Sequence, residues 1–355
     1  MKILILDYLF PQNHVSLYCR IIECLSSVGQ TKVITKKDYY SGYENNLACV
    51  EIEEIVARND GKNMLSRKFQ SFNSMLKTRK IVSNSKDSLK FVLTFDTVSF
   101  AFGRLLTGSN SFFILHHKNI DELNNKIKKI IFKTYMNKVN HIVFEDYFKE
   151  YLIKEIGVNE KLVHVIPHPV FDTETSNENE IIYDCIGLSN SNDESFIKKI
   201  IDEERKNGYL KNANLQVVLR SKKYQFDNGN LKVITGFLPK EEYDSYFKKC
   251  KVVFIPLPDN FNYRVSGVMY DALSNHKIVI ANKVPIVNQY EKKYPNICIG
   301  INNVNEFFEK VLELKYNEEV EDDFYNFKKC HEKNTIIKKF IDTFEGVNFN
   351  ESKKK

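Results

Sequence analysis

Short apolar runs alternate with longer amphipathic segments along almost the whole chain. The first half opens with an apolar run at residues 2–6, an amphipathic segment at 14–27 and a second apolar run at 32–35. Further strand-like runs follow at 91–95, 112–115, 141–144 and 162–166, with helical periods between them. Since parallel strands need helical crossovers, this order predicts a doubly wound, mostly parallel α/β sheet.

A polar, acidic segment with two prolines, residues 167–180, interrupts this alternation. It has no apolar period, which is typical of a linker between domains. The alternation then restarts, with strand-like runs at 181–186, 215–219, 232–234 and 251–256. With 355 residues the chain is long enough for two domains. We predict one domain over 1–171, a second over 172–330 facing it across a central cleft, and a C-terminal helix with a polar tail over 331–355 that packs across both.

The composition argues against several classes of protein. No apolar segment approaches the roughly 20 residues that span a bilayer, and the N-terminus becomes polar too quickly for a signal peptide. The seven cysteines are scattered without a C-x-x-C pair, as reduced buried thiols usually are, and this argues against zinc. We therefore expect a globular protein of the cytoplasm.

The formal net charge of +6 is modest, but lysines and arginines cluster at 62–86 and 124–138. Such clusters suit anionic substrates or a lipid surface. The sequence has no zinc finger, no aromatic RNA-binding strand and no long basic tail, so we expect no nucleic-acid partner.

The segment 262–282 carries the chemistry most clearly. Ser266 is placed as the N-cap of a helix that follows a strand and a polar loop. Free N–H groups at that helix start suit a diphosphate, Gly267 has no side chain to block its approach, and Arg264 adds donors. Asp271 lies about 6 Å further along the same helix face, within reach of ribose hydroxyls. An ordinary strand, loop and helix with a capping serine is the alternative.

The order of these features resembles the GT-B glycosyltransferases, especially the large retaining family 4. Residues 234–281 are similar to a segment of the family that has six parts in order: a strand, a glycine turn, a helix, a strand ending in proline, the donor loop and a helix. Residues 145–170 resemble the segment that closes the family's first domain. The resemblance implies that Asp271 binds the ribose of a nucleotide-sugar donor. Tyr263 stands where the family has its other acidic residue, which contacts the donor sugar, so the sugar stays open.

The same resemblance implies further donor contacts. Arg220 and Lys222 follow the strand-like run at 215–219, and a family arginine and lysine serve the diphosphate from a similar region. Parallel sheets also bind ligands at the carboxyl ends of their strands. Two solvated surface charges are the alternative. Thr235, Gly236 and Phe237 match residues that hold the nucleotide base in family members, although Gly236 is equally suited to a tight turn.

Two histidines, His116 and His117, follow the strand-like run at 112–115, where relatives carry a histidine that contacts the donor sugar. One of them is expected to face the cleft, and His116 follows the strand more directly. An inverting reaction needs a general base, for which Asp96 or one of these histidines is the candidate, whereas a retaining reaction needs none. Because no Asp-x-Asp occurs, we predict transfer without a metal or other cofactor.

The basic segments of the first domain also carry apolar side chains: Phe69, Phe72, Ile127, Ile130, Ile131 and Phe132. They either dock on an anionic membrane or face the protein core.

We predict a retaining, metal-independent hexosyltransferase that uses a UDP-sugar and a glycan or lipid-linked acceptor in bacterial surface polysaccharide synthesis, with possible contact to the inner membrane face. An NAD-type oxidoreductase is a rival, but no G-x-G-x-x-G follows the first strand. A catalytically silent nucleotide-binding homologue or partner subunit is another.

Overall fold

The fold is described by a computed structural model of the chain, over residues 1–9, 14–55, 64–85, 88–107, 112–170, 181–190, 192–236, 238–314 and 318–352. The chain divides into two compact units. Unit 1 comprises Met1–Pro169 with His331–Lys355, and unit 2 comprises Val170–Cys330. The C-terminal segment, which we expected to pack across both domains, thus groups with unit 1.

Unit 1 contains a seven-stranded sheet with the order β3-β2-β1-β4-β5-β6-β7, and all of its strand pairs are parallel. The strands are β1 (Lys2–Asp7), β2 (Gln30–Lys36), β3 (Glu51–Ile55), β4 (Leu89–Thr94), β5 (Phe112–Leu115), β6 (Asn140–Val143) and β7 (Val163–Val165). The helices are α1 (Val15–Val28), α2 (Met64–Asn84), α3 (Thr97–Thr107), α4 (Lys126–Lys133) and α5 (Asp146–Tyr151), which continues as a π-helical turn over Leu152–Ile156. Short 3-10 turns lie at Asp121–Asn124, Met136–Lys138 and Glu160–Leu162.

Unit 2 contains a second seven-stranded sheet, with the order β10-β11-β9-β8-β12-β13-β14. Its strands are β8 (Tyr183–Gly187), β9 (Val217–Ser221), β10 (Phe226–Asp227), β11 (Leu231–Thr235), β12 (Cys250–Ile255), β13 (Ile278–Asn282) and β14 (Cys298–Ile301). The short edge strand β10 is antiparallel to β11, and the other pairs are parallel. The helices are α6 (Glu194–Asn207), α7 (Tyr209–Ala213), α8 (Lys240–Lys248), α9 (Gly267–Ser274), α10 (Pro285–Lys293), α11 (Val304–Glu313) and α12 (Glu318–His331).

The central strands are buried on both faces, which explains their continuous apolar runs. In β1 the residues after Lys2 are all buried, and β5 is buried throughout. The C-terminal helix α13 (Lys333–Ser352) packs on this sheet: Phe340 and Phe344 contact Phe91 and Phe113 through edge-on ring contacts. The two-sheet α/β architecture predicted from the alternation is confirmed.

Some elements differ from the prediction. Strand β3 was not predicted because its sequence, EIEEI, is largely exposed and charged at an edge of the sheet. The predicted C-terminal helical region is two helices, α12 and α13. The linker residues 171–180 lie outside the described part of the chain. No helix in the described ranges is both long and apolar enough to cross a membrane.

Candidate functional site

Helix α9 starts at the carboxyl edge of the unit 2 sheet, after β12 and a polar loop. Ser266 is its N-cap: the side-chain oxygen accepts a hydrogen bond from the Met269 N–H at 3.4 Å, which confirms the predicted cap. A Cβ placed on Gly267 would meet no atom within 4 Å, so the space over this glycine is open. The first turn of α9 therefore offers N–H groups and the positive end of the helix dipole to a ligand.

Asp271 lies half-buried one turn further along α9. Burial, followed by the Asp271 carboxylate, raises the pKa of the Tyr243 phenol on α8. A second negative charge on that phenol is disfavoured by the Asp271 carboxylate. Arg264 is held within its own loop, since its Nη2 donates to the Asn260 carbonyl at 3.2 Å and its guanidinium lies 5.3 Å from the Phe261 ring centre.

Arg220 is the last but one residue of β9, whereas the sequence placed it just after the strand. Its Nε donates to the Gly236 carbonyl at 2.8 Å and its Nη1 donates to Asn190 Oδ1. Burial lowers the pKa of Arg220, but an arginine stays charged at neutral pH. The guanidinium thus links the ends of β8, β9 and β11 at one edge of the sheet, where ligands of parallel sheets bind.

The residues after Arg220 form a basic turn, which we define as Arg220–Tyr224. Lys222, the predicted phosphate contact, and Lys223 are both exposed. Glu194, on the first turn of α6, accepts hydrogen bonds from Ser221 Oγ and from the Lys222 N–H, the latter at 2.9 Å. Sequence reasoning missed Glu194, because its partners are remote in the chain.

The residues predicted to hold the nucleotide base follow β11. Thr235 and Gly236 are exposed at the carboxyl end of that strand. Gly236 has a φ of 89°, a left-handed conformation that favours glycine, so the turn alone accounts for this residue type. Phe237 lies outside the described residues.

In unit 1 the two candidate histidines have different surroundings. His116 is 1% exposed, its Nε2 lies 2.9 Å from His141 Nδ1, and Phe95 and Phe132 pack against its ring. Its place in the core corrects the expectation that His116 is a substrate contact. Burial, followed by His141, lowers the pKa of His116 well below its usual value, so the ring is neutral.

His117 is half-buried at the carboxyl edge of the unit 1 sheet. The His14 ring, at the start of α1, lies edge-on to it with ring centres 4.1 Å apart. Burial, followed by His14 and Lys118, lowers the pKa of His117 to about 3. Burial, followed by Lys118, lowers the pKa of His14 to about 4. Both rings are therefore neutral at pH 7, and His14 is a member of this site that the sequence did not reveal.

Two carboxylates lie at the same edge of unit 1. Asp96 Oδ1 accepts hydrogen bonds from the Val98 and Ser99 N–H groups at 3.1 and 3.0 Å, so the candidate base caps helix α3. Asp7 is fully buried at the end of β1, where its carboxylate accepts from Tyr40 Oη and Thr94 Oγ1, each at 2.6 Å. Both carboxylates therefore have a structural role: Asp96 caps a helix, and Asp7 binds two buried hydroxyl groups.

A cavity of about 500 Å³ also opens on unit 2. It lies beside the ends of β13 and β14 and the first turns of α6 and α11, and it has a mostly polar lining. None of the predicted donor-site residues lines it. No group of three or more His, Cys, Asp or Glu side chains within the described ranges is arranged to hold a metal ion.

No protein-family profile matches the sequence, and no curated protein matches it. Solved structures are similar in fold. HepE from Anabaena, in complex with UDP and glucose, has 11% identity and a TM-score of 0.65 over 97% of this chain and 99% of that chain. Sucrose-phosphate synthase from Thermosynechococcus elongatus has 10% identity and a TM-score of 0.67 over 99% of this chain and 100% of that chain.

The apo form of WaaB, a lipopolysaccharide outer core galactosyltransferase, has 13% identity and a TM-score of 0.58, over 98% of this chain and 100% of that chain. At such identities a likeness shows the fold. Each match extends over nearly the full length of both chains, so it includes both α/β units and their order. The chain therefore has the GT-B fold of glycosyltransferases.

Proposed function

We propose that this chain is a glycosyltransferase, similar to the retaining enzymes of family 4, that takes a sugar from a UDP-linked donor. The observation that carries this proposal is the start of α9, where the Ser266 cap, the open Gly267 and the half-buried Asp271 follow one another on one helix. Solved structures of the same fold, such as HepE, hold UDP. A diphosphate at the helix start and a ribose one turn along fit this arrangement.

The chemistry assigned to unit 2 is stabilisation of the leaving group. Breaking the glycosidic bond leaves negative charge on the nucleoside diphosphate, and preorganised N–H groups and cations stabilise that charge. We assign Arg220 and Lys222 to the diphosphate together with the first turn of α9, and Arg264 to its outer side. We assign Thr235 and Gly236 to the base. This set supplies positive charge without a metal, so metal-independent transfer stays our prediction.

In unit 1 we assign the donor sugar to His117 rather than His116. A neutral imidazole donates and accepts hydrogen bonds, which suits sugar hydroxyls. Its low pKa makes His117 a weak general base at pH 7, and the Asp96 carboxylate already caps a helix. Both points favour a retaining reaction, for which no dedicated base is needed.

For the acceptor we propose a glycan or a lipid-linked saccharide of a bacterial surface polysaccharide, handled at the inner face of the cytoplasmic membrane. Helix α4 supports the membrane contact: Ile127 and Ile130 are 69% and 66% exposed, beside the exposed lysines Lys126 and Lys133. Phe69 and Phe102 are also exposed. Apolar side chains surrounded by lysines suit an anionic lipid surface. Phe132 is buried and Phe72 packs against Phe102, so these two act in packing.

A second candidate function is a silent homologue that binds a nucleotide without transferring sugar. Tyr263 favours it, since this residue stands where family members carry an acid near the donor sugar. The two candidates differ in turnover, because both include nucleotide binding.

The test is thermal unfolding of the purified protein with UDP, GDP, CDP, ADP and NAD, followed by measurement of UDP-sugar hydrolysis and transfer. A ligand at 100 times its dissociation constant adds about 2.7 kcal/mol of stability. We expect stabilisation by UDP that Asp271→Asn reduces and that the exposed control Asp322→Asn keeps. Stabilisation by NAD alone would contradict the proposal, and UDP binding without any turnover would favour the silent homologue.

A further inference from the structure

The basic turn Arg220–Tyr224 is held by side chains from a different part of unit 2. Ser221, 1% exposed, is at its centre: its Oγ donates to Glu194 and accepts from the Lys223 and Tyr224 N–H groups at 3.0 and 2.9 Å. The other Glu194 oxygen accepts from the Lys222 N–H at 2.9 Å. The backbone N–H groups of both exposed lysines are thus fixed by one hydroxyl and one carboxylate.

The preceding residue, Arg220, is fixed in the same way. Asn192 Nδ2 donates to the Arg220 carbonyl at 2.8 Å and to the Gly187 carbonyl at 3.2 Å. Asn190 Oδ1 accepts from the Arg220 guanidinium. Asn190, Asn192 and Glu194 lie between β8 and the first turn of α6, so this connection supports the basic turn along its length.

Glu194 has two effects on the turn. Three cations within four residues repel one another, and a carboxylate beneath them reduces that repulsion. Its hydrogen bonds also fix the backbone conformation, so the lysines do not have to be ordered when an anion binds. A surface turn without such support would lose conformational entropy when it became ordered around the ligand, and this would weaken binding.

We infer that Glu194 and Ser221 are positioning residues that hold Lys222 and Lys223 in place for the diphosphate of the donor. This inference rests on the proposed function and adds to it, because neither residue touches the ligand. It requires that the two residues matter for the diphosphate and not for the nucleoside, whereas a merely structural pair would affect both alike.

The experiment compares the affinities of UDP and uridine for wild type, Glu194→Gln and Ser221→Ala, by calorimetry with uridine measured in competition. A lost hydrogen bond to a charged group corresponds to about a tenfold change in affinity. We therefore expect UDP to bind about tenfold more weakly to each variant, with uridine affinity unchanged. Because the two residues share one hydrogen bond, the double variant should lose less than the product of the single losses.

Two further variants keep the result interpretable. Ser221→Thr retains the hydroxyl and should restore UDP affinity if Ser221→Ala proves unstable. Asp202→Asn removes an exposed carboxylate of the same helix, one that pairs with Lys198, and should bind UDP like wild type. Unchanged UDP affinity in Glu194→Gln and Ser221→Ala, or equal weakening of UDP and uridine, would overturn the inference alone. A wild-type protein that binds no UDP would overturn the proposed UDP-sugar function together with the inference.

Discussion

The carboxyl edges of the two sheets differ in charge and in burial. In unit 2 this edge carries the exposed or half-buried cations Arg220, Lys222 and Lys223 and the open start of α9. In unit 1 it carries the neutral rings His14 and His117 beside the hydrogen-bonded carboxylates Asp7 and Asp96. The structure describes all eight histidines of the sequence. Seven belong to unit 1, and the eighth, His276, belongs to unit 2.

This difference shows that two sheets of the same α/β layout can present edges suited to different ligand groups. An open cationic edge suits the multiple charges of a diphosphate, since its two exposed lysines stay solvated until the ligand arrives. A partly buried edge with neutral rings and hydrogen-bonded carboxylates suits hydroxyl groups, which need donors and acceptors rather than cations. The proposed assignments, diphosphate to unit 2 and sugar to unit 1, draw on this contrast.

The largest expected effect concerns the cationic edge. Arg220→Ala should lower turnover about 100-fold, because it removes a preorganised donor from the leaving group. Arg220→Lys should lose less, since the charge stays while the fork of donors is lost. The control is Arg205→Ala, an arginine of the same unit that packs on Phe226. Steady-state rates of UDP-sugar turnover check this, and a loss below threefold in Arg220→Ala would place the diphosphate elsewhere.

The two adjacent histidines should separate function from stability. His117→Gln should lower turnover about tenfold, as expected for loss of a hydrogen bond to the donor sugar, with little change in the unfolding midpoint because its ring is half-buried at the sheet edge. His116→Gln should instead cost about 1–3 kcal/mol of unfolding free energy, because it leaves the buried His141 nitrogen without its partner. Paired urea unfolding and rate measurements test this. The reverse pattern would return His116 to the site.

We expect the exposed face of α4 in unit 1 to bind a lipid surface, and we expect no such binding from unit 2. Replacing Ile127 and Ile130 together by serine should weaken binding to vesicles of anionic phospholipid at least about tenfold, since each half-inserted isoleucine contributes about 0.7–1.5 kcal/mol. Vesicle sedimentation measures this. Leu312→Ser, an exposed apolar residue of unit 2, is the matched control. Equal binding by the double variant and wild type would contradict a membrane role for this face.

Stability should also depend on pH, through partly or fully buried histidines of unit 1. Burial is the main cause that lowers the pKa values of His141 and His164 to about 4, below the usual value near 6.5. Between about pH 4 and 6.5 the unfolded chain therefore binds more protons at these two residues than the folded chain does. The histidine contribution to stability should therefore be complete above about pH 6.5 and fall as the pH falls towards 4, by up to about 1.4 kcal/mol per pH unit for each such histidine.

Thermal unfolding at pH 7.0 and 5.5 measures that fall. His141→Gln should show a smaller difference between the two pH values than wild type, because one titrating group is gone. His276→Gln, at the histidine of unit 2, is the control. A wild-type midpoint that is the same at both pH values would show that the neutral histidines do not govern acid stability.

Much of the fold could be predicted from the sequence, because buried parallel strands are short and continuously apolar. The runs at 2–6, 112–115 and 251–256 match β1, β5 and β12 closely, and Ser266 is the N-cap of α9 as its position indicated. Local chemistry alone sets such features. Strand β3 was missed since its charged, exposed residues carry no apolar signal.

Tertiary structure decided what periodicity could not express. Because β5 is buried on both faces, its sequence does not alternate between apolar and polar residues, so it does not show whether His116 or His117 turns inward. Only the packing of β6 against β5 places His116 in the core beside His141. Likewise the pairing of α6 with β9 brings Glu194 beneath Lys222, 28 residues away in the chain. The sequence by itself determined the buried strands, the start of α9 and the positions of the charged residues in the chain, because these depend on local sequence. The partners of each side chain depend on contacts between distant segments, which form only when the sheets assemble.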